Sequence, residues 1–436
     1  MVNLPESVTP GTNSTINRLA PEDRRVHDWY RFVLSFPPHL VREYLENFGL
    51  DANTTVLDPF CGTGTTLVEC KKFGIPSIGI ERHPMSWFAA NTKTNWGGDP
   101  ELLYRWAKGI AQIAGSILAD QQITDVPTDT NLAVAGLKTL PPEILPLLLK
   151  NSISPLPLHK ILTLKEVIEQ DDFREGGYDR LALAKTAVSY ASNLHFGPEV
   201  GVKNLKSDAA VLTPWLGIVS DIAEDLDTMK DQRNAVSHVF LADARELDAS
   251  IPPASIDAVI CSPPYPNEKD YTRTTRLETV LLNFVQSKED LRILKKGLVR
   301  SNTRGVYKED RDEQWITWHS EIQKLAATIE ERRLDLGKTS GFEKLYGRVT
   351  KLYFGGMARH LANLRRVLKP GAQLAYVVGD QASYLRVLIR TGQLVGEIAE
   401  HYGYQVQRID LFRTRLATAT KVQLREEVVV LTWPGW

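Results

Sequence analysis

The chain has 436 residues, enough for a large core built from one catalytic domain and an insertion. Hydrophobic residues make up 43% and charged residues 24%, and the net charge of −1 excludes a polycation, so any nucleic-acid surface has to be a local patch. No apolar stretch approaches the roughly 20 residues of a membrane span, Met1 to Asn17 lacks a signal-peptide core, and Cys61, Cys70 and Cys261 have no metal-ligand spacing, all of which point to the cytoplasm.

In chain order, Met1 to Pro21 is polar and is expected to fray. Pro37 and Pro38 suit a helix start, and Val41, Tyr44, Leu45 and Phe48 share one face of the helix that follows. Thr54 to Leu57 reads as a strand end, continued by Asp58-Pro59-Phe60-Cys61-Gly62-Thr63-Gly64-Thr65-Thr66. Gly62 and Gly64 permit a tight turn, and Thr65 to Phe73 reads as a helix closed by Gly74. A glycine turn opening onto a helix N-terminus suits an anionic or polar ligand group. The next apolar run, Ser77-Ile78-Gly79-Ile80, ends in Glu81, which is placed to accept from ribose hydroxyls. The third glycine of a dinucleotide fingerprint and the Gly-Lys-Thr/Ser of a P-loop are absent.

Residues 96–235 then interrupt the strand pattern. Helical periodicity covers Leu102 to Leu118, Leu145 to Leu149, Lys160 to Glu169, Leu181 to Leu194 and Leu216 to Met229. An insertion between consecutive strands projects from one sheet edge, and a structural cap and a DNA-reading module both fit this position. Strand signals resume at Val239-Phe240-Leu241, with Asp243 just beyond as either a turn cap or a ligand acceptor. Ile256 to Cys261 reads as a buried parallel strand, ended by Ser262-Pro263-Pro264-Tyr265. Two prolines fix φ and remove two donors, while their carbonyls remain acceptors. With a hydroxyl before and a ring after, these parts suit an exocyclic amino group on a flat base; alone, the tyrosine would simply cap the core. Met357, Leu361, Leu364 and Leu368 then mark a helix face, Leu374 to Val378 a strand, and Val387 to Tyr402 a helix. Glu427 to Thr432 is expected to pair with Tyr404 to Leu411 as an antiparallel edge.

Asp58-Pro59-Phe60…Gly62-Thr63-Gly64-Thr65, taken with Ser262-Pro263-Pro264-Tyr265, resembles the S-adenosylmethionine-dependent amino-methyltransferases of DNA. The serine form of the second motif resembles the cytosine N4 branch, whereas adenine N6 enzymes more often carry Asp or Asn there. The resemblance implies an α/β fold: a doubly wound, mostly parallel seven-stranded sheet with an antiparallel edge and a large, mainly helical insertion. Residues 1–95 plus 236–436 would form the methyltransferase domain and 96–235 the insertion. Asp58, Phe60, Gly62, Gly64, Thr65, Glu81 and Asp243 would bind S-adenosyl-L-methionine, and Ser262, Pro263, Pro264 and Tyr265 would carry catalysis on a base turned out of double-stranded DNA. The helix before the glycine motif would either hold the methionine end of the cofactor or cover the sheet. Cys261 lacks the preceding proline of the cytosine C5 enzymes and reads as a core thiol.

Arg273 and Arg276 follow the catalytic turn, and Arg292, Lys295, Lys296, Arg300, Arg304 and Lys308 occur in a stretch without an acid. These cations are expected to meet phosphates, the alternative being a solvated face. Double-stranded DNA is the expected partner, with no membrane role; a cognate restriction nuclease is a candidate second partner that the sequence does not identify. Adenine N6 methylation of DNA, amino-methylation of RNA and a regulatory module that binds cofactor without turnover remain the rival functions.

Overall fold

The computed structural model describes residues 19–31, 35–127, 136–171, 176–197, 199–232, 234–416 and 423–436, so most of the Met1–Pro21 expectation lies outside the described residues. The strands are β1 (Val56–Asp58), β2 (Ser77–Glu81), β3 (Leu194–Phe196), β4 (Val200–Val202), β5 (Ser237–Leu241), β6 (Ile256–Cys261), β7 (Leu368–Gly379), β8 (Gln405–Leu416) and β9 (Gln423–Trp433). Seven of them form one sheet in the order β5-β2-β1-β6-β7-β9-β8, while β3 and β4 make a separate hairpin. Parallel pairing runs from β5 through β7, with Val56 opposite Ser77 on one side and Ala258 on the other. β9 runs antiparallel to both β7 and β8. The opposing strand therefore lies one place in from the edge, and β8 forms the edge itself.

The order reverses between β1 and β6, which opens a crevice above their C-terminal ends, where open α/β sheets bind ligands. Both sequence motifs lie at these two tips. Helix Pro38–Asn47 begins at the expected prolines and buries Leu40, Val41, Tyr44 and Leu45 against the sheet, together with Val56, Ile260 and Val428.

The insertion contains helices Pro100–Asp120, Pro155–Gln170, Tyr178–Thr186 and Leu212–Thr228. Two of the expected helices are shorter than their periodicity suggested. Pro146 limits the run near Leu145 to a single 3-10 turn, Leu145–Leu147. The run from Leu181 leaves the α-helix after Thr186 and reaches a strand at Leu194. There Ser192 Oγ donates to the Val188 carbonyl (2.6 Å) and Asn193 Nδ2 to the Asn151 carbonyl (3.0 Å), side-chain bonds that compete with helix continuation. One hydrophobic cluster joins Leu103, Leu181, Trp215 and Ile222 of the insertion to Met85 and Phe88 of helix Pro84–Thr94 and to Leu277 and Val280 beyond the catalytic turn. The insertion is thus built into the helical layer of the sheet. Among the described residues, no helix is long and apolar enough to cross a membrane.

Candidate active site

A cavity of about 620 Å³ occupies the crevice, within the ~300–1,000 Å³ usual for small-molecule sites. Its first wall is the glycine turn. Asp58 Oδ1 accepts from the Phe60 amide (3.0 Å) and bends the chain off β1. Gly62 and Gly64 take φ of 53° and 85°, a left-handed region that glycine enters without a side-chain penalty. Gly64 N-caps helix Thr65–Lys72, and a Cβ there would lie 3.1 Å from Ala90 Cα and Cβ. At Gly62 a Cβ would meet no atom within 4 Å, because that side of the turn faces open space on the cavity wall.

Glu81, at the tip of β2, accepts from the Gly62 amide through Oε2 (2.9 Å) and from the His83 amide through Oε1 (2.7 Å). A carboxylate has about four acceptor sites, so these amide bonds leave capacity for a ligand hydroxyl. Burial raises its carboxyl above the ordinary value. Phe60, Gly62, Thr65, Glu81 and Asp243 all line the cavity, and so do Ser35, Phe36 and Pro37 ahead of the first helix.

Asp58 and Gly64 lie behind this wall and shape it. Asp58 is wholly buried, and burial raises its carboxyl to about 7. Asp243 has a double role: it caps the Arg245 amide (2.9 Å) and binds the Arg245 guanidinium (2.6 Å). Arg245 in turn meets Asp312 (2.5 Å), so the Asp243 carboxylate reaches the cavity already partnered.

The second wall is the tip of β6. Ser262 Oγ donates to the Val377 carbonyl on β7 (3.3 Å), and Pro263, Pro264 and Tyr265 continue along the cavity. Tyr265 rests on β7 and β9: a Cβ at Gly379 would lie 3.0 Å from its Cε2 and 3.2 Å from Glu426 Cγ. Burial pushes the Tyr265 phenol well up. Cys261 is wholly buried and burial raises its thiol, so it is no nucleophile.

Most of the cations after the catalytic turn already have acidic or carbonyl partners within the protein. Arg276 donates to the Thr272 and Leu147 carbonyls (2.9 and 3.2 Å). Arg300 is buried and bonds Asp310 (2.7 Å) and the carbonyls of Lys295, Lys296 and Leu298. Lys295 lines the cavity but meets Asp270 (2.8 Å), while Arg292 and Lys296 share Glu309 (3.1 and 3.0 Å). Arg304 faces Glu199 (3.6 Å), Arg273 is partly buried, and Arg292 and Lys308 are exposed. The acid-free stretch conceals this pairing, because Glu309 and Asp310 lie immediately after it and Asp270 folds against it.

Sequence reasoning missed part of the wall near Tyr265. Arg413 and Arg415 of β8 and Glu426 of β9 line the cavity there, with Arg413 on Glu426 at 2.6 Å. Two arginines at alternate positions of one strand share a face, and that spacing was the available signal. Of the insertion, Glu199 alone among the described residues lines the cavity.

Comparison with known proteins gives the class as a methyltransferase that uses S-adenosylmethionine as methyl donor. A family model described as DNA methylase matches residues 12–87. The Type II methyltransferase M.BsoBI of Geobacillus stearothermophilus is 26% identical, over 99% of this chain and 90% of its own. The Type II methyltransferase M.AvaI of Nostoc sp. is 25% identical, over 90% and 81%. TrmN from Thermus thermophilus, a solved structure, overlaps 94% of this chain and 52% of its own at a TM-score of 0.30 and 10% identity, too loosely to bear on the fold. The family-model match and these relatives support the N4/N6 amino-methyltransferase family of DNA for this chain.

The residues present fit the cofactor. The turn at Gly62 is a cradle that a Cβ would fill, Glu81 keeps acceptor capacity for hydroxyls, and the cavity has room for a nucleoside beside a target base.

Proposed function

We propose that this protein methylates the N4 amino group of cytosine in double-stranded DNA, at specific sites and on a base turned out of the helix. The observation that carries the reading is that Ser262-Pro263-Pro264-Tyr265 and the glycine turn line one cavity from neighbouring strand tips. When bound, S-adenosylmethionine supplies an electrophilic methyl group on a sulfonium centre. Gly62 and Glu81 hold its nucleoside portion, and Phe60 and Thr65 complete that wall.

Ser262 spends its proton on the Val377 carbonyl, so toward an amino group it acts as an acceptor. The Pro263 carbonyl is a second acceptor, and neither proline has an N–H. The turn therefore takes the amino hydrogens and offers no backbone donor of its own at Pro263 or Pro264 to occupy the nitrogen lone pair, which stays free to attack. Tyr265, supported from behind by Gly379 and Glu426, presents a ring for the base to stack on. By fixing the amino group at Ser262 and the Pro263 carbonyl, the turn would make the encounter an oriented one, and the displaced amino proton would leave to water. Serine in place of Asp or Asn before the prolines favours cytosine over adenine. The same reading carries a cytoplasmic site of action and a cognate restriction nuclease as partner.

The deciding experiment incubates the purified protein with duplex DNA and methyl-labelled cofactor, then digests the DNA to nucleosides for mass spectrometry. N4-methylcytosine is the expected product. N6-methyladenine would overturn the base assignment, labelled RNA alone would overturn the substrate, and absence of any product on varied DNA would leave a binding module.

A further inference from the structure

Strands β8 and β9 outrun the rest of the sheet. β7 ends at Gly379 opposite Glu426, with one more backbone bond from the Asp380 amide to the Arg425 carbonyl (2.8 Å), whereas Gln423 and Leu424 pair with Leu416 and Arg415 of β8. A two-stranded ribbon thus overhangs the cavity on the side where Tyr265 rests against Gly379. Arg413, Arg415 and Arg425 stand on this ribbon, and Arg386 and Arg390 on the loop that leaves β7 beside it.

The acids among these arginines lie beneath them. Side chains of Asp380, Glu426 and Glu427 are 0%, 10% and 10% exposed, while their partners Arg390, Arg415 and Arg425 are 47%, 38% and 46% exposed. Five arginines against three carboxylates leave two positive charges, and the geometry turns the positive layer outward. The stretch at 292–308 has the opposite arrangement, because Glu309 (55% exposed) is as open to solvent as the Arg292 and Lys296 it neutralises. Lys269 on the cavity wall feels the excess: burial first, then Arg415, lowers its ammonium.

The loop bearing Arg386 is also held in one shape. Gln381 and Ile389 exchange two backbone bonds (3.1 and 2.7 Å), and Tyr384 donates to the Ser301 carbonyl (2.9 Å). Leu385 and Arg386 both take positive φ, 55° and 66°, strain that persists only where the surroundings impose it.

We propose that this arginine rim holds the phosphate backbone of the DNA strand that flanks the extruded base. Exposed cations on a preorganised surface are what phosphate contacts require. Arg415 shares the Tyr265 face with Glu426, while Arg425, on the alternate face with Glu427, and Arg386 and Arg390 extend the rim along the sheet end beyond the cavity. The inference rests on the DNA reading above.

The test measures binding of a fluorescent duplex by anisotropy across a salt series, using the full chain with S-adenosylmethionine present. Arg386→Gln combined with Arg425→Gln should reduce the magnitude of the log-affinity against log-salt slope by about two, at ~0.9 per lost contact, and weaken binding at least about ten-fold at 0.1 M salt. Cofactor affinity by calorimetry should be unchanged, which shows that the variant is folded. Arg292→Gln with Lys296→Gln should leave the slope as in the parent. A parent that binds duplex DNA and a rim variant with the same slope would overturn the rim. A parent that binds no duplex would instead overturn the DNA reading, and the rim with it.

Discussion

The two walls of the cavity are built in different ways. The wall proposed for the cofactor draws mainly on Phe60 to Thr65 and on Glu81, close in sequence and tied by the bond from the Gly62 amide to Glu81. The wall proposed for the base joins Ser262 and Tyr265 to Val377, Gly379, Arg413 and Glu426, more than 100 residues further along the chain. A local turn carries its own geometry, so its motif is compact and readable. A wall assembled across strands has no compact motif, and each of its members depends on sheet order.

Glycine substitutions give the sharpest contrast within the first wall. Gly62→Val would project a side chain into the open side of the turn, whereas Gly64→Val would drive one into Ala90. Both should lower S-adenosylmethionine affinity by more than about 100-fold in titration calorimetry, since a β-branched residue at positive φ is strained besides. They should differ in stability: Gly64→Val should also lower the thermal midpoint more than Gly62→Val does. Near-normal cofactor affinity in both would place the cofactor elsewhere.

In the second wall, Tyr265→Ala should lose roughly 10- to 100-fold in turnover, given ~1–3 kcal/mol per stacked base, with cofactor affinity kept. Tyr265→Phe should retain substantial activity, because the ring face supplies the stacking. Equal losses of activity and thermal stability in the alanine variant would reduce Tyr265 to a packing residue.

The smallest effect is expected at a tie that runs between the segments flanking the walls. Tyr30 donates to Glu278 (2.5 Å), and burial raises the Glu278 carboxyl to about 7 from an unfolded value near 4.5. A carboxyl raised on folding contributes stability that is complete below its unfolded pKa and is lost as pH rises through the folded one. The parent should therefore lose stability between about pH 4.5 and 7 from this group. Glu278→Gln keeps an acceptor for Tyr30 without a titrating proton, so it should be the more stable of the two in urea unfolding at pH 8 and converge with the parent toward pH 4. Parallel pH profiles for the two proteins would remove Glu278 as the source.

From the sequence alone came the features that depend on a few neighbouring residues. The left-handed glycines of the turn, the proline-stiffened exit of β6 and the alternation of strands and helices were all legible, because local sterics and hydrophobic period specify them. The tertiary structure decided the rest: that β9 enters between β7 and β8, that Asp243 arrives paired with Arg245, and that the insertion shares a core with helix Pro84–Thr94. It also decided which cations are free. A charge run records signs along the chain, but an arginine is available to DNA only when folding brings no equally exposed acid to it. Arg300 meets Asp310 in the interior, while the rim arginines stand outside the acids they cover.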